Sequence, residues 1–393
     1  MKVDIEALGS FSRTAHDGAE RAAENLTGLT GIETTADVTA VTLAREDSLV
    51  REDRDRIGVV VDFDGEISGT TVLSFPPQGV ETVLGALLPG DGLDESAVQE
   101  VGNIVTSGFV DAWADRLSTT LDITPPTYVE GTDADILEAA SFESDRAFVF
   151  RSRLSAVGEA LDFEFYMFPD NDSMTRMLSD GSGDGAVPLA KLSTLQEMAQ
   201  SGAATAADSV SAMTGIDTAV DISELRFAPI ESIPAELSDR RHVGVVLGFG
   251  EGPDGYVLIL FDESSARAVV DALAPDAAAT DSFDEMAESA IREIGNVMTS
   301  SFVDGWANVL DTTIAISTPQ FVDDMGRAVA DSVVARLGQR QAFAFLFDAT
   351  IRADDRAFDC EIYAIPEETQ LEATLDDIDP DATAERSTKA GSL

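Results

Sequence analysis

The sequence Ser-Ala-Val-Gln-Glu-Val-Gly-Asn at 96–103 returns as Ser-Ala-Ile-Arg-Glu-Ile-Gly-Asn at 289–296, 193 residues later. In both copies 22 residues separate the Asn from a proline, Pro126 or Pro319. Glu and Asn at i and i+3 stand side by side on one face of a helix. A carboxylate that can dock a cation therefore lies beside an amide that can hold a water molecule. Together, a docking group and a water-holding group are the minimum needed to hydrolyse a bond in a bound partner.

The two halves of the chain repeat each other beyond this motif. Residues 106–114 (TSGFVDAWA) match 299–307 (TSSFVDGWA), and residues 162–166 match 359–363. Agreement along almost the full length of each half indicates a tandem duplication of one domain.

We predict the domain boundaries from this repeat and from composition. The first domain is expected at 1–170 and the second at 189–367. The linker at 171–188 contains Ser182-Gly-Asp-Gly185, and residues 368–393 form a polar, acidic tail.

The sequence pattern of each half predicts a mixture of helices and hairpins. This mixture indicates an α+β fold with a mainly antiparallel sheet rather than a doubly wound parallel one. The opening helices are expected at Phe11–Leu29 and Leu192–Met213. The motif helices are expected at about Glu95–Leu121 and Phe283–Leu310. The predicted strands are Ile57–Phe63, Thr70–Phe75, Ala147–Arg153, Leu161–Phe168, His242–Phe249, Tyr256–Phe261, Gln341–Ala349 and Phe358–Ile365.

Both motif helices carry an apolar stripe at helical spacing, which we interpret as core packing. The predicted inward residues are Val98, Val101, Ile104, Val105, Phe109, Ala112 and Trp113 in the first copy, and Ile291, Ile294, Val297, Met298, Phe302 and Trp306 in the second. The predicted outward residues are Ser96, Glu100, Asn103 and Ser107, and Ser289, Glu293, Asn296 and Ser300.

For Glu and Asn the alternative interpretation is a solvated helix face. Asn disfavours helix interiors because its short amide competes for backbone hydrogen bonds. Its recurrence beside Glu in the same register favours a functional role, although copies of one ancestral gene share features for any reason. Ser96 and Ser289 lie one turn before the Glu, and we treat them as supporting residues.

The net charge of −48 comes from 73 acidic and 25 basic residues, only three of which are Lys. This composition predicts a halophile's cytosolic protein, because in molar salt the Debye length is only about 3 Å and self-repulsion is screened. An ordinary acidic protein is the alternative. Such a surface argues against nucleic-acid partners and anionic membranes.

Other features exclude further classes. No apolar run approaches the ~20 residues of a membrane span, and the first residues lack a signal-peptide pattern. The single cysteine, Cys360, excludes an internal disulfide, and its alternating context predicts a buried strand residue. His16 and His242 are the only histidines. We predict no histidine-based metal cluster, and we predict that His242 is a surface turn residue.

The motif and its spacing resemble the signature of the CheC, CheX and FliY phosphatases of chemotaxis, and the resemblance in layout covers most of each half. It implies dephosphorylation of the phospho-Asp of a CheY-type response regulator. By similarity, Glu100 and Glu293 bind the receiver's active-site Lys, while Asn103 and Asn296 orient the attacking water. The receiver supplies Mg²⁺, so no cofactor of the chain's own is implied. A CheD-type receptor deamidase is a further implied partner.

The resemblance also implies internal pseudo-symmetry, with a second motif-bearing helix at the start of each domain. Ser193, Glu197 and Gln200 keep the spacing there, but Gln replaces Asn and Ser223 replaces the proline. We treat Glu197 and Gln200 as a possible weak site. The first opening helix has neither Glu nor Asn around Phe11 and is expected to be structural.

Two rival functions stay open beside the phosphatase. One is a non-catalytic module that binds a receiver or a CheD-type protein, and the other is a component associated with the motor switch. The intact Asn at both motifs favours the enzyme, because a purely structural role does not require the Glu-Asn pair.

Overall fold

A computed structural model of the 393-residue chain describes residues 2–44, 55–87, 94–140, 147–156, 162–179, 186–237, 240–250, 254–274, 283–310, 313–353 and 359–367. It contains two compact units, residues 2–186 and residues 187–393, which we call the first and second units. Among the described residues, no helix combines the length and apolar character needed to cross a bilayer.

The first unit alternates long helices with antiparallel hairpins. Its elements are β1 (Lys2–Asp4), α1 (Ile5–Thr30), β2 (Thr34–Ala44), β3 (Asp55–Asp64), β4 (Gly69–Phe75), α2 (Pro77–Leu87), α3 (Glu95–Leu117), β5 (Asp122–Ile123), β6 (Thr127–Thr132), α4 (Asp133–Ala139), β7 (Ala147–Ala156), β8 (Asp162–Pro169) and α5 (Asn171–Ser179).

The second unit repeats this order after a short strand, β9, at the boundary. Its elements are β9 (Ala186–Pro188), α6 (Leu189–Thr214), β10 (Thr218–Pro229), a 3₁₀ turn (Ile230–Ser232), α7 (Ile233–Glu236), β11 (Arg241–Gly250), β12 (Gly255–Asp262), α8 (Glu263–Leu273), α9 (Glu285–Leu310), β13 (Ala315–Ile316), β14 (Gln320–Met325), α10 (Gly326–Leu337), β15 (Phe343–Ala353) and β16 (Asp359–Pro366).

Each unit is built on one antiparallel sheet, as the sequence predicted. In the first unit the strand order is β2-β7-β8-β4-β3-β6, with the short β5 also on β3. In the second unit the order is β10-β15-β16-β12-β11-β14, with β13 also on β11. The prediction of two tandem α+β domains is confirmed.

The strand order has an internal two-fold pattern. In the first unit, α1-β2-β3-β4 and α3-β6-β7-β8 are two equivalent halves, and each half gives its first strand to the other half's hairpin: β2 pairs with β7, and β6 pairs with β3. The two halves meet where β4 pairs with β8. This arrangement makes α1 equivalent to α3, and in the second unit it makes α6 equivalent to α9.

The motif helices α3 and α9 pack on their opening helices and on the sheet through their apolar stripes. Phe11 stacks on Trp113 with ring centroids 5.7 Å apart, and Phe109 lies 4.3 Å from Phe165. In the second unit Trp306 lies 4.7 Å from Phe347. The predicted inward residues are all buried except Ile104 and Val297, which occupy equivalent positions and are half-buried. Aromatic contact of this kind holds each motif helix in a fixed position.

The first motif helix ends at Leu117, four residues before the predicted end. Ser118 has a left-handed backbone (φ 53°) and caps the helix. The strands β2, β6, β10 and β14 were not predicted. β2 and β10 contain an irregular register, between Ala36 and Val38 and between Val220 and Ile222, which interrupts the alternating pattern.

Part of the expected linker is helical. Asn171–Ser179 forms α5, in which Met174 is buried and Ser173 Oγ accepts a hydrogen bond from Ser68 N at 2.9 Å. In the internal symmetry α5 is the counterpart of α2. The boundaries at 170 and 188 stay a prediction. The residues Ser182–Gly185 and the tail at 368–393 lie outside the described residues.

The prediction of a surface turn for His242 was wrong. His242 is the second residue of β11 and is only 2% exposed. Its Nε2 atom lies 3.6 Å from Glu361 Oε2, and this contact raises the pKa of the imidazole despite burial. The equivalent strand position in the first unit holds Arg56, 3.8 Å from Glu164. A half-buried carboxylate two strands away in the sheet, Glu361 on β16 or Glu164 on β8, therefore selects a cation here, which the local sequence does not show.

Cys360 lies fully buried in β16, so the prediction of a buried strand cysteine is confirmed. Burial raises the pKa of its thiol well above the usual value, which keeps the sulfur protonated and unreactive.

Candidate functional site

The first motif helix begins at a side-chain cap. Asp94 Oδ1 accepts hydrogen bonds from Ser96 N at 3.0 Å and from Ala97 N at 3.4 Å. The cap satisfies backbone donors that otherwise lack partners at a helix start. Ser96 is exposed in the first turn, one turn before Glu100.

Glu100 and Asn103 lie one turn apart on the outer face of α3. Glu100 is exposed and Asn103 is half-buried. Within the described residues, neither side chain has a hydrogen bond or ion pair. Ser107 Oγ instead donates to the backbone carbonyl of Asn103 at 2.7 Å, so this hydroxyl does not engage the amide. The carboxylate and the amide are both available to a partner.

The second motif helix repeats this geometry. Glu293 is exposed, Asn296 is half-buried, and Ser300 Oγ donates to the Asn296 carbonyl at 2.8 Å. As in the first copy, the described part of the chain offers the Glu and Asn side chains no hydrogen-bond or ionic partner. The helix begins at Glu285, so Ser289 lies in its second turn rather than at its start.

A glycine directly precedes each Asn and lets the motif helix approach the sheet closely. A Cβ atom at Gly102 would lie 2.4 Å from Val59 Cγ1, and one at Gly295 would lie 2.2 Å from Val245 Cγ2. Glycine inside a helix costs about 1 kcal/mol relative to alanine, so both positions need a packing reason. These residues were not predicted, although a mid-helix glycine repeated in both copies of the sequence was a signal for them.

Each motif proline lies where the chain enters the strand beside its motif helix. Pro126 and Pro319 are half-buried, and the strands β6 and β14 begin one residue later. In the first copy, Gln99 Nε2 donates to the Pro126 carbonyl at 3.0 Å. In the second copy, the guanidinium of Arg292 lies over the ring of Phe321, 5.6 Å from its centroid.

Glu197 and Gln200 are both exposed on the second opening helix, α6. Their spacing puts them on one face, as in the motif helices. Between them, Ala199 is buried at the position where the motif helices have glycine. Ser223, in place of the proline, belongs to β10. In α1, Arg13 and His16 occupy the positions of Glu197 and Gln200.

Two further features concern metal binding and cavities. Among the described residues, no group of three or more His, Cys, Asp or Glu side chains is arranged to hold a metal ion. The second unit has an open cavity of about 510 Å³ that contains no motif residue. Arg340 at its rim is paired with Glu367 at 2.9 Å. The cavity is lined by Gly248, Phe249, Gly250, Asp254, Gly255, Tyr256, Ala315, Ile316, Ser317, Arg336, Leu337, Arg340 and Glu367.

Comparison with known proteins places these helices in a family. The sequence model of the CheC-like family matches residues 93–130 and 286–322, and each match contains one Glu-Asn motif and its proline. A Halobacterium salinarum protein named "Putative CheY-P phosphatase CheC1" is 38% identical over 182 residues, which cover 46% of this chain and 92% of that protein. Its haloarchaeal source agrees with the acidic, lysine-poor composition.

Solved structures with a similar arrangement include Thermotoga maritima FliY, at 16% identity and a TM-score of 0.36, over 46% of this chain and 97% of that one. Another is a CheX-CheY-BeF3-Mg+2 complex from Borrelia burgdorferi, at 18% identity and a TM-score of 0.30, over 39% of this chain and 96% of that one. On the sequence match to the Halobacterium protein and the two family-model matches, this chain is a tandem member of the CheC-like family.

Proposed function

We propose that the chain ends a chemotaxis signal by hydrolysing the phospho-aspartate of a CheY-type response regulator. The observation that carries the proposal is the repeated pair of an exposed Glu and a half-buried Asn, on helices held in the same way in both units. The name of the Halobacterium relative, a CheY-P phosphatase, supports the same substrate class. We place this activity in the cytoplasm, where receivers are phosphorylated.

In this proposal the Glu docks and the Asn acts at the reacting atoms. Glu100 or Glu293 binds the active-site Lys of the receiver, and a carboxylate-ammonium contact of this kind fixes the orientation of the two proteins. Asn103 or Asn296 then enters the phosphorylation pocket. Its amide has a donor and an acceptor, so it can hold a water molecule in line with the acyl phosphate.

The reaction itself is a displacement at phosphorus. The water oxygen forms a bond to phosphorus while the bond from phosphorus to the aspartyl oxygen breaks. One proton of the water stays on the product and the other is released to solvent, so hydrogen phosphate and a free aspartate carboxylate result. The Mg²⁺ bound by the receiver neutralises charge on the phosphoryl oxygens. The role of this chain is therefore to position a nucleophile, which is the main contribution open to a protein in phosphoryl transfer.

The packing of the motif helix against the sheet keeps the motif Asn in a fixed position. Gly102 and Gly295 set the distance from the motif helix to the sheet, and Pro126 and Pro319 lead into the adjoining strand. A displacement of about 1 Å can reduce a rate by roughly 10²-fold, so a firmly packed helix is part of the catalytic design.

The test uses a CheY-type receiver phosphorylated by a small phosphodonor in molar KCl. Loss of phosphate is followed with and without the wild-type chain, and with the double variant Asn103→Ala Asn296→Ala. We expect the wild type to accelerate the loss and the double variant to lose that acceleration while it still binds the receiver. The matched control is Ser107→Ala Ser300→Ala, which removes two hydroxyls from the same helix face.

A folded wild-type chain that accelerates none of several receivers would overturn the proposal. Binding without acceleration would instead identify a receiver-binding module, and retention of receiver binding by the double variant separates docking from hydrolysis.

A further inference from the structure

The outer face of α3 that carries Glu100 and Asn103 is the first motif face, and the outer face of α9 that carries Glu293 and Asn296 is the second. The two motif faces differ at the position one turn before the Asn. Residues four apart form a row on a helix, and the rows are Glu95, Gln99 and Asn103 on α3 and Glu288, Arg292 and Asn296 on α9. The first and third members are the same in both copies. The middle member, which adjoins the Asn, is a neutral amide in one copy and a guanidinium in the other.

Arg292 is held in place beside Asn296. Its Nη2 donates to Glu288 Oε2 at 2.9 Å, and its guanidinium lies 5.6 Å from the centroid of the Phe321 ring. Its side chain is 44% exposed. One nitrogen serves Glu288, and the other N–H groups have no partner within the described residues. The cation is therefore oriented before binding and still has donors to offer.

Among the described residues, the positions beside the first motif helix that correspond to Arg292 and Phe321 hold no cation. Gln99 donates to the Pro126 carbonyl, and Tyr128, in the place of Phe321, donates from its hydroxyl to Glu130 Oε2 at 3.2 Å. Burial, Glu130 and Glu95 raise the pKa of this tyrosine to about 12, so it stays neutral. In the described structure, Glu95 and Glu130 have no basic partner.

On the second motif face, the carboxylates that the structure describes around Asn296 are paired with arginines, except for Glu293. Asp323, in the place of Glu130, accepts two hydrogen bonds from Arg241, at 2.6 and 2.7 Å. Glu288 is paired with Arg292. Glu293 is therefore the only carboxylate among these second-face positions without an ionic partner in the described residues, whereas the first face has three: Glu95, Glu100 and Glu130.

We propose that the two motif faces select different phosphorylated receivers, with Gln99 and Arg292 as the specificity-determining residues. The second face prefers a receiver with a carboxylate at the rim of its phosphorylation pocket, which Arg292 binds. The first face prefers a receiver with a basic rim. This inference rests on the proposed function, since it concerns partners of the same sites.

In molar salt, a direct contact at this position contributes more to the choice of partner than the overall charge does. A Debye length of about 3 Å screens charges that are not in contact, so the overall charge of −48 contributes little to discrimination between partners. A contact pair persists, and a guanidinium can bind a carboxylate through two parallel hydrogen bonds. Arg292 lies where such a pair forms once Asn296 has entered the partner.

The experiment compares chains with a single intact site. Asn296→Ala leaves the first face, and Asn103→Ala leaves the second. Each is tested with two versions of one phosphorylated CheY-type receiver, bearing Glu or Lys at one surface position that borders its phosphorylation pocket. KM and kcat are measured in molar KCl, and binding of the beryllofluoride-loaded receiver gives a readout that needs no hydrolysis.

For the second face we expect KM to be about two- to fivefold lower with the Glu receiver than with the Lys receiver, as for a solvent-accessible ion pair. Arg292→Gln should remove this preference, while Arg292→Lys should retain most of it. Gln99→Arg should create the preference on the first face. The values of kcat should not change, because the residue selects the partner and does not touch the reacting atoms.

Equal KM ratios for the two single-site chains would overturn the inference. A change in kcat alone after Arg292→Gln would also overturn it, because it would show contact with the phosphoryl group. If the wild type accelerates no loss of phosphate, the proposed function fails by itself, and binding of the beryllofluoride-loaded receiver still decides the question of selectivity.

Discussion

The motif helices and the opening helices occupy equivalent places in the fold but carry different residues on their outer faces. α3 and α9 present Glu and Asn in the same register, whereas α6 presents Glu197 and Gln200 and α1 presents Arg13 and His16. All four helices bury an apolar face. The shared feature therefore serves the core, and the differing feature marks the two helices that we propose to act on a partner.

A second difference concerns how close each helix can lie to the sheet. Gly102 and Gly295 precede the motif Asn, whereas buried alanines, Ala15 and Ala199, stand at the equivalent positions of the opening helices. The Glu-Asn pair is therefore only one part of the motif. The other part is the missing side chain on the opposite face, which sets the height of the Asn above the sheet.

The largest effect is expected from dilution into low salt. Self-repulsion among the acidic residues then becomes unscreened, and both kinds of helix should lose their packing together. Circular dichroism during dilution from molar KCl should show loss of folded structure. An unchanged thermal midpoint at low salt would contradict the halophilic interpretation and would allow the helices to be compared under ordinary conditions.

Gly102→Ala in the Asn296→Ala background tests whether the close approach of the motif helix to the sheet is needed to position Asn103. Overpacking against Val59 costs about 1–3 kcal/mol, and the gain in helix propensity returns only about 1 kcal/mol. We expect a lower free energy of unfolding and a fall in the dephosphorylation rate on the order of 10²-fold, because Asn103 moves.

The matched control is Ala199→Gly on the opening helix. It should cost about 1 kcal/mol of stability and leave the rate unchanged. A rate for Gly102→Ala equal to that of its parent would show that the glycine serves packing alone.

A smaller effect should come from pH and should belong to the sheet of the second unit. Because the pKa of His242 is raised in the folded state, its stabilising contribution is complete below the ordinary value of about 6.5 and is lost as pH rises through the folded pKa. The thermal midpoint should fall over that range, and His242→Gln should remove this part of the dependence. The first unit has Arg56 in place of a histidine at the equivalent position, so it should lack this pH dependence.

The smallest effect is expected from Gln200→Ala. Gln200 is one methylene longer than Asn, and its helix has alanine in place of the packing glycine. We expect the rate of an otherwise wild-type chain to be unchanged within error. Residual acceleration in the Asn103→Ala Asn296→Ala chain that disappears on adding Gln200→Ala would show a third working site and break the distinction between the two kinds of helix.

Much of the fold could be predicted because its signals are local. The apolar stripes of α3 and α9 follow helical spacing, and the Val-rich hairpins alternate, so their positions were predicted within a few residues. The strands β2 and β10 were missed because a register irregularity breaks their alternation. The burial of His242 could not be predicted, since its partner Glu361 lies more than a hundred residues away in the chain.

The sequence by itself determined the duplication, the halophilic charge and the Glu-Asn pairs with their prolines. These depend on spacing and composition, which need no knowledge of contacts. Only the tertiary structure decided that Gly102 and Gly295 face Val59 and Val245, and that Arg292 is fixed over Phe321 while Gln99 binds the Pro126 carbonyl. Each of these contacts joins a helix to a strand, or to the residue that leads into one, elsewhere in the sequence. Packing between separate segments becomes defined only when the chain folds.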